Sequence, residues 1–439
     1  MTTTTVSPPQ ADPQTVALNV VRPARVVPIW EQAAVTLWFL VTFVEIPFAS
    51  PLRYLLLGAF LVYFAAYHKH IVMTLLRCWP LFLLPIYGAF SFIWAAYSGQ
   101  AMRIGILYLL TPFIIVIIAA RMELKTILRC FFFAGVLATL FLLPEYQSFH
   151  WGTYYYGSKN YLALHMVFAQ FFALITVLNP QERQLLRLFA APFVPICFWI
   201  VIMANSATSA IFAVVGTIGL LAVRFFWLSI TRMRHLRSVT LLSGMAMALL
   251  GAAIVLSMPS NSIVNDFLDM MGKDSTLTGR TAIWTNGKLA AEENPIFGVG
   301  LESFWQRDIG SAQTILENDH KPFGIDFTFH NAYLEVRVHL GYVGYALFWL
   351  IVGWCLYRTV IDWLRDPSME RSAMLVITAI IFTSTFTESW LWNPFNALTN
   401  LFYLAAISSL GTAHRKVLGR IPAVIKPSLG AGVMASSRG

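Results

Sequence analysis

Charge is scarce in this chain. Of its 439 residues only 12% are Asp, Glu, Lys or Arg, whereas 58% are hydrophobic. A soluble protein of this length could not remove so much apolar surface from water. The composition therefore excludes an ordinary soluble fold and indicates that lipid surrounds much of the chain.

Cysteine is also rare. The four cysteines are Cys78, Cys130, Cys197 and Cys355, and each lies in or beside a hydrophobic run. Zinc sites and redox motifs use closely spaced ligands, and the sequence has neither a CxxC nor an HxxxH spacing. We therefore expect no disulfide, no metal site and no cofactor.

Long hydrophobic runs, by contrast, are abundant. A membrane span needs roughly 20 mostly apolar residues. Twelve candidate spans lie at 33–49, 54–68, 79–97, 104–120, 126–144, 160–178, 187–203, 207–228, 239–257, 332–357, 371–389 and 394–411. In lipid every backbone polar group must be bonded within its own segment, which favours helices. The predicted fold is all-α, a polytopic membrane protein with about 12 transmembrane helices.

The basic residues predict the orientation of these helices. With both termini in the cytoplasm, 21 of the 30 Lys and Arg residues fall on the cytoplasmic side, and most of the others lie in or just after one long outer segment. Short cytoplasmic loops are normally enriched in Lys and Arg, whereas long loops do not follow this rule. The same bias explains the net charge of +9, so we expect no nucleic-acid partner.

The predicted organisation has five parts. They are a disordered cytoplasmic tail (1–30), nine spans (31–257), a long extracytoplasmic loop (258–331), three more spans (332–411) and a basic cytoplasmic tail (412–439). Loops this long inside a compact domain are usually functional. We therefore expect the loop to carry the catalytic region.

Within this loop the stretch "LTGRTAIWTNGKLAAEENPIFGVG" predicts an amphipathic helix. It should begin near Thr281, with Thr278 as its cap, and end before Pro295. Three residues give it an apolar side, and they are Ile283, Trp284 and Leu289. The glycines after Pro295 then break the helical pattern.

Arg280 stands at the start of this helix, which is electrostatically the unfavourable end for a cation. The placement is explained if an anion such as a phosphate or diphosphate binds there, held by both the helix N-terminus and the guanidinium. The alternative is that Arg280 pairs with one of the many carboxylates of the loop. The spacing alone leaves both interpretations open.

The stretch "HNAYLEVRVHLGYVG" (330–344) begins a hydrophobic span but carries ionisable groups. On a helical wheel His330 and Arg337 share one face with Gly341 and Gly344, and Glu335 pairs with His339 at i,i+4 on another side. We expect the two glycines to allow a neighbouring helix to approach closely. Such a helix cannot face lipid at this level, so it lines a cavity or pairs with neighbouring helices.

Other predicted outer ends also carry polar groups. Lys159 and Asn160 follow three tyrosines in "HWGTYYYGSKNYLAL", a pattern typical of either an interfacial aromatic belt or a platform for sugars. Glu388 in "FTESWLWNPF" is either a carboxylate reaching the interface or a group that faces the same cavity as His330. Both pairs of alternatives stay open on sequence alone.

Five motifs, in order, resemble the O-antigen polymerase and O-antigen ligase superfamily of bacterial inner-membrane proteins. They are "GSKNYLA" (157–163), "NSATSA" (205–210), "LTGRTAIW" (277–284), "NPIFGVGLESFW" (294–305) and "HNAYLEVRVHLGYVG" (330–344). The nearest branch is the ExoQ-like exopolysaccharide polymerases. The resemblance implies a metal-independent, GT-C-like glycosyltransferase of the inner membrane that works on the outer side, with a glycan on undecaprenyl diphosphate as its donor.

The resemblance also implies roles for individual residues. Arg280 matches the arginine proposed to hold the donor diphosphate, and His330 matches the catalytic histidine. Lys159 is a supplementary phosphate contact. The remaining predicted substrate-binding residues are Asn160, Asn331, Tyr333, Glu335, Arg337 and Glu388. Expected partners are membrane lipids and, within the same pathway, a chain-length regulator and a flippase.

One position departs from the ligase pattern. Ser209 stands in the motif where ligases of this superfamily commonly have an arginine, which favours a polymerase over a ligase that transfers glycan to lipid A core or protein. A transporter would also need many helices, but transporters often show internal repeats. We find no repeat, and the polar residues cluster at one side of the predicted membrane.

Overall fold

The computed structural model describes residues 27–230, 238–239, 280–306, 308–318, 321–322 and 327–418. In these ranges the chain is helical and has no strand, apart from an isolated bridge between Thr153 and Tyr156. The all-α prediction is confirmed for this part of the chain. Most of the two predicted tails (1–26 and 419–439) and the predicted cap Thr278 lie outside the described residues, whereas the first helix begins at Ile29 and the last helix continues to Leu418.

The helices that matter below are numbered in chain order. They are α1 (Ile29–Phe43), α2 (Ala49–Arg77), α3 (Leu83–Phe90), α4 (Ser98–Arg121), α5 (Leu124–Leu142), α6 (Lys159–Leu178), α7 (Gln184–Ala190), α8 (Phe193–Met203), α9 (Ala207–Ala222), α10 (Arg280–Glu293), α11 (Gly310–Asn318), α12 (Ala332–Arg365), α13 (Met369–Ser384) and α14 (Ala397–Leu418). Helix α9 continues through a π-helical turn (Val223–Trp227) to Ile230.

Seven of the described helical stretches are long and apolar enough to cross a membrane, which makes the chain a multi-pass membrane protein. The number rises to eight if the pair Ile71–Arg77 and Trp79–Ile93, bent by 78°, is one span. Helix α1 and the apolar part of α14 are shorter. The predicted ninth span, 239–257, lies almost wholly outside the described residues, so the total of twelve stays a prediction.

Helix α6 is the centre of the bundle. Of the most apolar 18-residue stretch of α6, 83% is buried inside the protein, whereas the value is 22% for the stretch that contains α8. A helix that is apolar on all sides is stable only when other helices surround it, and α6 packs against α5, α8, α9 and α13. The first residues of α6 are therefore surrounded by the ends of these neighbouring helices.

The described residues of 280–329 have an apolar core of their own, which rests on the first turns of α12. Ile283, Ala290 and Ala291 of α10 pack with Phe329 and the start of α12 in this cluster. The predicted helix bounds are confirmed, since α10 runs from Arg280 to Glu293. The predicted apolar side is wrong at Leu289, which is 64% exposed, because the small residues Ala290 and Ala291 form the buried face instead.

Helix α12 is broken at Gly341, where φ is 61° and ψ is −160°. The segment 295–300 lies against the break and bonds the groups that it releases. The N–H of Tyr342 donates to the carbonyl of Pro295 at 2.8 Å, and the N–H of Gly300 donates to the carbonyl of His339 at 2.9 Å. Backbone at membrane depth must find such partners within the protein.

The predicted role of the two glycines of α12 is therefore wrong. A Cβ at Gly341 would lie 2.3 Å from the carbonyl oxygen of Ile296, so this glycine admits the turn that follows α10 and not a neighbouring helix. A Cβ at Gly344 would meet Leu340 of the same helix, across the break, at 2.2 Å. Hydropathy alone gives no sign of this break, because the residues on both sides of it are apolar.

Candidate functional site

His330 lies before α12 and not on it. The helix begins at Ala332, and Asn331 is its N-cap, whose side-chain oxygen accepts from the N–H groups of Tyr333 and Leu334, both at 3.1 Å. The wheel that placed His330 on one face with Arg337 is thus wrong. Asparagine is a preferred N-cap, and this signal was present in "HNAYLE".

The backbone of His330 has a left-handed conformation, with φ of 51°. Such a conformation is uncommon for residues other than glycine, although His is among the residues enriched there. Residues in sparsely populated conformations need support from their surroundings and cluster at functional sites. The support here comes from contacts that Glu335, Trp284 and Thr385 make with the residues on either side of His330.

Glu335 is the main support, and its side chain is 1% exposed. One carboxylate oxygen accepts the N–H of Phe329 at 2.6 Å and the hydroxyl of Ser389 at 3.4 Å, while the other lies 3.4 Å from Nε2 of His339. The predicted i,i+4 pair of Glu335 and His339 is therefore confirmed. The carboxylate fixes the residue before His330 and the residue after Glu388.

The loop has two further fixed points. The indole N–H of Trp284 donates to the carbonyl of Phe329 at 2.8 Å. The N–H of Ala332 donates to the carbonyl of Thr385 at 3.0 Å, in the turn after α13. Sequence reasoning missed these residues, because contacts between distant segments leave no local pattern.

Glu388 joins the two predicted catalytic residues. One carboxylate oxygen accepts from Nη2 of Arg280 at 2.8 Å, and the other lies 3.0 Å from Nδ1 of His330. The side chains of Arg280 and Glu388 are 15% and 13% exposed, and that of His330 is 32% exposed. Glu388 thus faces the same site as His330. Arg280 does pair with a carboxylate, but one from outside the long loop.

A small cavity of about 20 Å³ adjoins this chain of charges. Its lining is mostly polar and consists of Asn160, Leu164, Ser206, Thr208, Ser209, Phe212, Arg280, Ser384, Thr387 and Glu388. Helices α6 and α9 begin beside it, with Ser158 and Ser206 as their N-caps. The free N–H groups and dipoles of helix N-termini favour anions.

The motif "NSATSA" contributes hydroxyls to this cavity where a cation was expected from the ligase pattern. Ser206 and Ser209 are buried, and their hydroxyls lie 3.2 Å apart. Lys159 is the first residue of α6 and is half-buried; it has no ion pair among the described residues. Asn160 lines the cavity, whereas Lys159 lies next to it.

Two predicted site residues have their contacts elsewhere. Arg337 donates to the carbonyl of Pro295 at 2.7 Å and to Glu292 at 3.3 Å, and its guanidinium lies 3.2 Å from the ring centre of Tyr342. It braces the segment that fills the break in α12. The hydroxyl of Tyr333 bonds to the hydroxyl of Thr385 at 2.8 Å, and this bond involves none of Arg280, His330 and Glu388.

Metal independence stays a prediction. In the described ranges no three His, Cys, Asp or Glu side chains come together as ligands of one ion. The two nitrogens that face Glu388 belong to Arg280 and His330. Arg280 and the helix N-termini contribute positive charge at the site.

Two comparisons with known proteins bear on this site. Residues 192–349 match the family model Wzy_C, described as O-Antigen ligase, and this range includes Arg280 and His330. The chain is also 26% identical over 338 residues to the exopolysaccharide production protein ExoQ of Rhizobium meliloti (strain 1021), covering 74% of this chain and 75% of the relative. The resemblance to the O-antigen polymerase and ligase superfamily that the five motifs indicate is thereby confirmed.

Proposed function

We propose that this chain is a GT-C-like polysaccharide polymerase of the bacterial inner membrane. It joins oligosaccharide repeat units carried on undecaprenyl diphosphate, at the outer face of the membrane. The observation that supports this most directly is the linear arrangement of Arg280, Glu388 and His330 beside a polar cavity at the helix ends. A cation can stabilise the leaving diphosphate, and an orientated histidine can accept the proton of the acceptor hydroxyl.

The donor diphosphate binds at Arg280 and the N-termini of α6 and α9. A guanidinium presents several N–H donors to phosphate oxygens, and the hydroxyls of Ser206, Thr208 and Ser209 line the same cavity. The diphosphate competes with Glu388 for Arg280 when it enters. Because negative charge grows on the diphosphate as its bond to the sugar breaks, these fixed donors stabilise the transition state.

His330 is the general base for the acceptor sugar. With Nδ1 as the donor to Glu388, Nε2 carries the lone pair and accepts the proton of the acceptor hydroxyl. The hydroxyl oxygen then forms a bond to the anomeric carbon of the donor, and the electron pair of the broken C–O bond leaves with the diphosphate. Glu388 orientates the imidazole and stabilises its protonated form.

A ligase that transfers the glycan to lipid A core or to protein is the second candidate. The name of the matched family model favours it, whereas the name of the ExoQ relative and Ser209 in "NSATSA" favour a polymerase. A strain deleted for this gene distinguishes the two. Loss of long polymer with accumulation of single repeat units supports a polymerase, and lipid-linked glycan beside unmodified lipid A core supports a ligase.

The site assignment is tested in the same strain with variants. Arg280→Ala and His330→Ala should each reduce polymer at least 100-fold, because each removes a group that acts in the transition state. The matched controls are Lys288→Ala, an exposed cation on the same helix, and His150→Ala, an exposed histidine of the loop before α6. Polymer is measured per amount of folded protein, and normal polymer in either site variant would contradict the assignment.

A further inference from the structure

A second cavity lies at the other end of α10. Its volume is about 580 Å³, within the range of roughly 300–1,000 Å³ that is typical of ligand sites. It is bordered by Trp94 and Phe297, whose ring centres are 5.8 Å apart, and by the polar side chains of Glu293, Asn294, Ser303 and Ser311. None of these residues takes part in the site around His330.

The wall of this cavity is held by contacts within the protein. Gly298 has a φ of +70°, and a Cβ there would lie 2.4 Å from the carbonyl of His339. A Cβ at Gly300 would lie 2.3 Å from that of Ala95. The N–H of Leu301 donates to the hydroxyl of Ser91 at 2.9 Å. The segment that carries Phe297 is thus held against both α12 and the turn before α4.

The lining indicates the class of ligand. Phe297 is 55% exposed and Trp94 is partly exposed, so both offer ring surface, while Glu293 and Asn294 offer exposed hydrogen-bonding groups beside them. Sugars present apolar faces to aromatic rings and hydroxyls to amides and carboxylates. An acyl chain would make no use of the carboxylate and the amide, whereas a sugar hydroxyl can bond to either.

The distance to the first site is set by α10. This helix has 14 residues, so Arg280 and Glu293 are about 20 Å apart along its axis. Phe304 also borders the second cavity, and its ring packs on that of Phe329, the residue before His330, at 5.3 Å. One continuous layer of side chains therefore connects the two places.

We infer that the second cavity is a glycan subsite that binds sugars several units away from the bond being formed. The inference rests on the proposed function, because it assigns these sugars to the donor or acceptor chain of that reaction. Sugars held about 20 Å from Arg280, at the other end of the 14-residue helix α10, keep a long chain at the protein between transfers. The subsite therefore governs product length, whereas Arg280 and His330 govern the transfer.

The first test is binding, measured by calorimetry on the purified full chain. The probes are lipid-free oligosaccharides from partial hydrolysis of the polymer of the source bacterium and, separately, undecaprenyl phosphate without sugar. The double variant Phe297→Ala with Asn294→Ala should weaken oligosaccharide binding at least tenfold and leave undecaprenyl phosphate unaffected. The control is Phe90→Ala, which removes a phenylalanine of equal exposure, 56%, outside the cavity. Unchanged oligosaccharide binding, or loss of undecaprenyl phosphate binding instead, would overturn the inference.

The second test is product length in the deleted strain. The double variant should make short oligomers in place of long polymer, while Phe90→Ala gives the normal distribution. A normal distribution in the double variant would also overturn the inference. Oligosaccharide binding does not need the catalytic histidine, so His330→Ala should bind the probe normally. If the strain deleted for this gene still makes long polymer, the proposed function fails while the binding result stands.

To separate the two glycan sources, the binding test is repeated with short and long oligosaccharides of the same polymer. An acceptor subsite should bind long fragments more tightly, because only the growing chain is long. A donor subsite should bind a single repeat unit as tightly as longer fragments. Both results support a glycan subsite and assign it to one chain.

Discussion

The left-handed backbone of His330 is supported by the buried carboxylate of Glu335. Glu335 is buried and accepts from the N–H of Phe329 and the hydroxyl of Ser389, which are the chain neighbours of His330 and Glu388. The residue was predicted to bind substrate. That role stays a prediction; from these contacts we propose that Glu335 positions the histidine relative to the carboxylate that orientates it.

Replacement of Glu335 should therefore reduce activity more than it reduces folding. Glu335→Ala leaves the buried N–H of Phe329 without an acceptor, at a cost of about 1–3 kcal/mol. Polymer per amount of folded protein should fall at least tenfold, because small displacements of catalytic groups are costly. Glu335→Gln keeps an acceptor for this N–H and should restore part of the loss.

The measurement compares polymer yield with the amount of monodisperse protein on size exclusion. A Glu335→Ala variant with the normal yield per folded molecule would show that the loop keeps its geometry unaided.

At this scale the sequence predicted local relations well and distant ones poorly. The pair of Glu335 and His339 follows from i,i+4 spacing alone. The contact of Arg280 with Glu388 joins residues 108 positions apart, and no periodicity encodes it. The error at His330 was of a third kind, since the asparagine that ends the loop could have been recognised as a cap.

At the scale of elements, the broken helix α12 is the feature that organises the end of the bundle where the candidate site lies. Segment 295–300 supplies the hydrogen bonds that the helix loses at Gly341, and Arg337 clamps the same segment through the carbonyl of Pro295. Hydropathy predicted α12 as one uninterrupted span. It could not reveal the break, because the missing bonds are replaced by residues about 40 positions earlier in the chain.

Gly341 should consequently tolerate no side chain. Its φ of 61° and ψ of −160° lie in a region open essentially to glycine alone, and a Cβ would collide with Ile296. Gly341→Ala should lower the thermal midpoint in detergent by several degrees and reduce the yield of folded protein. Gly353 is the matched control on the same helix.

A Cβ at Gly353 would meet no atom within 4 Å, and alanine is the better helix former by about 1 kcal/mol. Gly353→Ala should therefore leave the midpoint unchanged or raise it. The midpoints are measured by fluorescence size exclusion after heating. Equal midpoints for the two variants would contradict the importance of the break.

At the scale of the whole molecule, polar residues form two separate levels. The site lies where α6, α9, α10 and α12 begin and α13 ends. At the opposite ends of these helices are ion pairs such as Arg129 with Glu182 and Arg358 with Asp362. Most arginines of the short loops belong to this second level, as expected for a cytoplasmic side.

We therefore expect α10 to face the periplasm and α7 to face the cytoplasm. The native cysteines are all buried, so new cysteines can be labelled selectively with a maleimide that does not cross membranes. Leu289→Cys on α10, at a position 64% exposed, should react in intact spheroplasts. Leu185→Cys on α7, 82% exposed, should react only after permeabilisation. The reverse pattern would invert the proposed orientation.

The contact of Glu388 with Arg280 has a consequence for selectivity. The cation is already paired with an anion tethered to the same chain, at an effective concentration on the order of millimolar. A small monoanion that displaces it exchanges one charge for another and gains little. A diphosphate carries more charge and reaches the helix N-termini as well, so it gains from the exchange. The site should thus remain open to lipid diphosphates in surroundings rich in simple salts.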